Sequence, residues 1–99
     1  MDEINSNISS LKQICKEHQV KQLFAFGSVV NGNNTAESDI DFEVEFKSLD
    51  LKLYFRNYLG LKEKLEKLFN KSIDLVESQT IKNPILRASI NSKKRKIYG

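Results

Sequence analysis

Ile40, Phe42, Val44 and Phe46 alternate strictly with Asp39, Asp41, Glu43 and Glu45. A period of two belongs to a β-strand with one apolar face and one acidic face. Other segments keep helical time. Ile4, Ile8, Leu11, Ile14 and Cys15 recur at spacings of three and four, so an amphipathic helix is expected over 4–18. Leu51, Tyr54, Tyr58, Leu61, Leu65, Leu68 and Phe69 do the same across roughly 50–70, with Gly60 as a weak point. Val20 to Phe26 ends in four consecutive apolar residues before Gly27-Ser28 and reads as a strand buried on both faces. Residues 31–38 are rich in turn formers and form a loop. A short strand is expected at Ser72 to Val76, a last helix led by Pro84 and running to Ile90, and a basic edge strand between Lys93 and Tyr98. Strands alternating with helices predict an α/β (α+β) fold, a single small mixed sheet flanked by helices.

The chain has 99 residues, enough for one domain spanning 1–99 with a single modest core. At 39% hydrophobic and 29% charged it matches a globular domain, which excludes a disordered, collagen-like or disulfide-stapled chain. One cysteine, Cys15, cannot close an internal disulfide, and it falls on the apolar stripe of the first helix as a core residue. No apolar run approaches the roughly 20 residues of a membrane span, and none follows Met1. The expectation is a soluble cytoplasmic protein.

Net charge is +3, yet it is unevenly placed. Residues 1–46 carry 3 Lys and Arg against 8 Asp and Glu, and residues 47–99 carry 13 against 5. The early acidity and late basicity suit phosphate groups or an acidic partner as readily as a solvated surface. Lys93 to Lys96 could meet nucleotide phosphate, RNA, an acidic partner or only water. His18 lacks companions for a zinc site and reads as a helix-end residue. Tyr54, Phe55 and Tyr58 read as core or interface.

The chemistry concentrates at two places. Asp39 and Asp41 lie two apart on a strand, so both carboxylates leave the same face with Cα atoms roughly 6–7 Å apart. They can converge on one cation or bridge two, as in two-metal phosphoryl-transfer sites. Glu43 and Glu45 prolong the acidic row, so something positive should face it, and Mg²⁺ is the natural hard cation for carboxylates and phosphate oxygens. The alternative is four acids facing water. Gly27-Ser28 follows a buried strand, where free backbone N–H groups and a hydroxyl hold phosphate and glycine lets it approach. Ten residues separate this pair from Asp39.

The run Phe26-Gly27-Ser28, ten residues, then Asp39-Ile40-Asp41 resembles the Gly-Ser-x10-Asp-x-Asp signature of the DNA polymerase β-like nucleotidyltransferases. The small size, the Lys62 to Phe69 helix, the Ile73-Asp74-Leu75-Val76 segment and the terminal Lys96-Ile97-Tyr98 resemble their minimal nucleotidyltransferase (MNT) branch, over about residues 20–98. The resemblance implies the polymerase β-like fold and a third metal-linked acid at Asp74. It implies phosphate binding by Gly27 and Ser28, and two Mg²⁺ on Asp39, Asp41 and Asp74 that align an acceptor hydroxyl with the α-phosphorus of ATP. The chain departs from the pattern at one point. Many members carry an arginine directly after Gly-Ser and a second before the next glycine, where this chain has Val29, Val30, Asn31 and Gly32. A basic residue from the C-terminal half, or from a partner, would have to supply that charge.

So small a domain leaves no second module to grip an acceptor, so the acceptor is expected to bring its own surface as a partner protein. The resemblance extends to the antitoxin half of HEPN/MNT toxin–antitoxin pairs. It implies a hetero-oligomer in which AMP passes from ATP to a tyrosine of a HEPN ribonuclease toxin, without direct nucleic-acid binding. The alternative is a module that neutralises its partner by contact alone. An antibiotic nucleotidyltransferase would need an enclosing second domain or a dimer.

Overall fold

The computed structural model describes residues 2–27, 30 and 39–99. Among them the order is α1 (Asp2–Ser6), α2 (Ile8–Glu17), β1 (Val20–Phe26), β2 (Ile40–Phe46), α3 (Leu51–Phe69), β3 (Ile73–Glu77), a 3₁₀ turn (Ser78–Thr80), α4 (Pro84–Lys93) and β4 (Arg95–Tyr98). The single helix expected over 4–18 is two. Asn7 interrupts it with φ −116° and ψ 16°, and its side-chain amide donates to the Glu3 carbonyl at 2.9 Å. A local side-chain bond to backbone competes with helix continuation, which periodicity does not register.

The four strands run in the order β3-β2-β1-β4. β1 is antiparallel to both β2 and β4, and β2 is parallel to β3. The parallel pair requires a crossover, and α3 supplies it. Asp50 caps the start of α3 by accepting the Lys52 N–H at 3.1 Å, and Asn70 ends it in the left-handed region at φ 53°. Gly60 sits inside α3 without breaking it. In α4, Pro84 opens the first turn and Asn83 accepts the Ile85 N–H at 2.9 Å, so the expected start holds while the helix continues to Lys93.

The core lies on one side of the sheet. Ile40, Phe42, Val44 and Phe46 of β2 pack there with Leu23 and Ala25 of β1, Ile73 and Leu75 of β3, Ile4, Leu11 and Cys15 of the first helices, and Leu61, Leu65 and Phe69 of α3. Phe55 does not join them; it is 68% exposed, whereas Tyr54 and Tyr58 are half-buried. The opposite face carries Phe24 and Phe26 of β1 and the acids of β2, with α4 beside it. Phe24 is therefore half-buried and not sealed in a second apolar layer, and the Lys94 ammonium stands 4.0 Å over its ring.

Candidate active site

Strand register assembles the acids. Phe26 pairs with Asp41 across the β1–β2 ladder, and Asp41 pairs with Asp74 across the parallel β2–β3 ladder. Paired residues on adjacent strands share a face. Two acids 33 positions apart in sequence thus become neighbours, and Gly27 follows directly on the third strand of the same row. Asp41 is half-buried, while Asp39 and Asp74 are exposed.

The electrostatics record this proximity. The Asp41 carboxyl is held above the ordinary carboxylate range, first by burial, then by the negative charges of Asp74 and Asp39, and by a hydrogen bond with Asp74. Asp41 and Asp74 are in contact; Asp39 acts on Asp41 through charge. Among the described residues no three His, Cys, Asp or Glu side chains form a ready-made metal cluster. Ser28, expected beside Gly27 as a phosphate ligand, lies outside the described residues. Gly27 has φ +75°, and a Cβ built on it would stand 2.2 Å from Asp41 Oδ2. Only the bare glycine leaves the carboxylate its place.

A hard divalent cation suits this donor set. The candidate donor atoms are all carboxylate oxygens, and the crowding of Asp41 against Asp74 carries an electrostatic cost that a cation would relieve. Mg²⁺ is commonly held by one or two carboxylates plus phosphate oxygens and water, so a closed three-acid cage is not required.

The rest of the acidic row departs from expectation. Glu43 is 1% exposed. Its Oε2 accepts from Arg87 Nη1 at 2.9 Å and from the Ser78 hydroxyl at 2.7 Å, while Lys94 Nζ lies 3.6 Å from Oε1. Burial alone would raise this carboxyl, yet the Arg87 and Ser78 hydrogen bonds and the nearby cations hold it below the usual range. Glu45 faces Lys21 at 3.8 Å on the surface. The positive charge expected opposite Glu43 and Glu45 is thus supplied by the protein itself. Glu43 clamps α4 across the sheet, which leaves Asp39, Asp41 and Asp74 as the acids open to a ligand. The charge imbalance between the two halves of the chain was the available signal for this pairing, and no local motif located it.

Tyr58 was likewise missed as a positioning residue. Its hydroxyl donates to the Leu75 carbonyl, tying α3 to β3 one residue after Asp74. His18 closes α2, with Nδ1 2.8 Å from the Ile14 carbonyl, as a helix-end residue does. Cys15 is buried in the core, as expected.

A small mixed sheet that sets two acids on paired strands beside a strand-ending glycine has the architecture of a nucleotidyltransferase. The family model "Polymerase beta, Nucleotidyltransferase" matches residues 9–99, and the chain belongs to that family. It is 38% identical over 91 residues to a Methanocaldococcus jannaschii protein that carries a provisional protein adenylyltransferase name, covering 91% of this chain and 90% of that one. It is 32% identical over 88 residues to the protein adenylyltransferase MntA of Thermococcus cleftensis, covering 88% and 86%. Among solved structures, the fold matches a chain of the tri-AMPylated Shewanella oneidensis HEPN toxin in complex with its MNT antitoxin. The TM-score there is 0.66 at 18% identity, over 96% of this chain and 71% of that one. No helix among the described residues is long and apolar enough to cross a membrane.

Proposed function

We propose that this chain is a Mg²⁺-dependent protein adenylyltransferase that acts as an antitoxin, moving AMP from ATP to a tyrosine hydroxyl of a HEPN-type toxin. The observation that carries the reading is the row Gly27–Asp41–Asp74, in a chain similar over nine-tenths of its length to protein adenylyltransferases. Asp39, Asp41 and Asp74 would hold the metal. When bound, Mg²⁺ neutralises charge on the phosphates and on the departing pyrophosphate. Gly27, with Ser28, lets the phosphates approach the backbone, as a strand-ending glycine allows. Asp41, half-buried and paired with Asp74, fixes the position of the acids. Asp74, exposed at the outer strand, takes the proton of the attacking hydroxyl as the oxygen–phosphorus bond forms and pyrophosphate leaves. Asp39→Asn, Asp41→Asn and Asp74→Asn leave one metal ligand fewer in each case.

The test uses the purified chain, labelled ATP, Mg²⁺ and the product of the adjacent gene. Label is expected on a partner tyrosine, and none with Asp39→Asn. Absence of label with the unmodified chain and its cognate partner overturns the reading. A second reading, neutralisation by contact alone, is favoured by Val29 after Ser28 and Asn31 before Gly32, at positions where many members of the family the sequence resembles carry arginine. Full neutralisation of the partner by Asp41→Asn selects that reading.

A further inference from the structure

We propose that Lys93 binds the polyphosphate of the donor nucleotide, supplying the positive charge that is missing after Ser28. The inference rests on the nucleotidyltransferase reading and adds a residue to it. A cavity of about 210 Å³ opens between the end of β1 and α4, lined by Phe26, Gly27, Leu86, Ser89, Ile90 and Lys93. Gly27 is shared, since a Cβ on it would meet the Asp41 carboxylate. The cavity and Asp41 therefore meet at the same glycine. Sites that engulf a whole small ligand run to roughly 300–1,000 Å³, so this one takes part of a nucleotide and leaves the rest outside.

Helix spacing explains which cation reaches the cavity. Leu86, Ser89, Ile90 and Lys93 follow the i, i+3, i+4, i+7 pattern and form one stripe of α4. Arg87 and Lys94, also seven apart, are both committed to Glu43. Lys93 makes no ion pair among the described residues and is exposed. A ligand can recruit it without dismantling the clamp that holds α4 in place. The Glu43 clamp thus has a second consequence: it orients α4 so that the stripe carrying Lys93 lines the same cavity as Gly27. A lysine ammonium is a compact point charge suited to phosphate oxygens.

The test is calorimetric titration of the full chain with ATP and with adenosine, in Mg²⁺ buffer, for wild type, Lys93→Ala and Lys93→Arg. Lys93→Ala is expected to weaken ATP binding about tenfold, the scale of one charge-assisted hydrogen bond, and to leave adenosine binding and Tm unchanged. Lys93→Arg is expected to stay close to wild type, and the salt dependence of ATP binding is expected to flatten in Lys93→Ala. ATP binding by Lys93→Ala equal to wild type overturns the proposal while leaving the enzyme reading intact. So does an equal loss for ATP and adenosine, which would make Lys93 a mere wall. Failure of wild type to bind ATP overturns both.

Discussion

Gly27 and Asp41 compete for the same space: a side chain on the glycine would begin 2.2 Å from the Oδ2 atom of the aspartate. With Asp41 in place on the neighbouring strand, the strand-ending turn therefore has no room for a side chain.

Gly27→Ala is expected to fail twice over. Its φ of +75° disfavours any Cβ, at a cost of about 1–3 kcal/mol, and the clash displaces the Asp41 carboxylate. Chemical denaturation measures the first effect and Mg²⁺-dependent ATP binding the second. A variant that loses stability by that amount and still binds Mg²⁺-ATP like wild type would separate Gly27 from the site.

Asp41→Asn is expected to be more stable than wild type at neutral pH without divalent metal, and to lose AMP transfer by about two to three orders of magnitude, the scale of a lost electrostatic group in the transition state. The sign follows from the raised pKa of Asp41. The folded state keeps that proton at pH values where the unfolded chain has lost it, so stability falls as pH climbs upward from ~4. The gain from asparagine accordingly appears above that window and vanishes below it. Thermal melts across pH, with and without Mg²⁺, read both effects, and Mg²⁺ is expected to stabilise wild type only.

Arg87→Met is expected to destabilise the fold by about 3 kcal/mol, because it strips the main partner from a nearly fully buried carboxylate. Adding Glu43→Met is expected to recover part of that loss. The lowered pKa of Glu43 gives the pH sense: its contribution is intact above the ordinary glutamate range and is lost as pH falls through the lowered value. Urea unfolding of the single and double variants measures this, and additive losses would show that the pair is not a unit.

Cys15 is expected to resist thiol reagents until the protein unfolds. Burial pushes its thiol up to about 12, so at pH 8 the thiolate fraction is on the order of one in ten thousand. Absorbance of an aromatic disulfide reagent checks it, before and after guanidinium is added. Rapid stoichiometric reaction in native buffer would contradict the placement of Cys15 in the core.

Much of this molecule was legible in its sequence. The alternation from Asp39 to Phe46, the long helix ending at Phe69, the helix led by Pro84 and the glycine at the end of β1 are local signals, because side-chain periodicity and turn conformation follow from backbone geometry over a few residues. The ten-residue spacing from Ser28 to Asp39 pointed to the chemistry through its resemblance to the nucleotidyltransferase signature. Other features were not legible. Asn7 splits the first helix through a side-chain bond that hydrophobic spacing ignores. Asp74 was expected beside Asp41 from the family resemblance alone; the parallel register of β2 and β3, which brings the two together, is written in no local pattern. Glu43 was expected to face something positive, and only the packing of α4 showed that the protein supplies it, bringing Arg87 from 44 positions away and setting Lys93 on the same cavity as Gly27. Residues this far apart are joined by the face on which a helix packs, a choice made by the summed burial and charge pairing of the whole chain, which no short window of sequence contains.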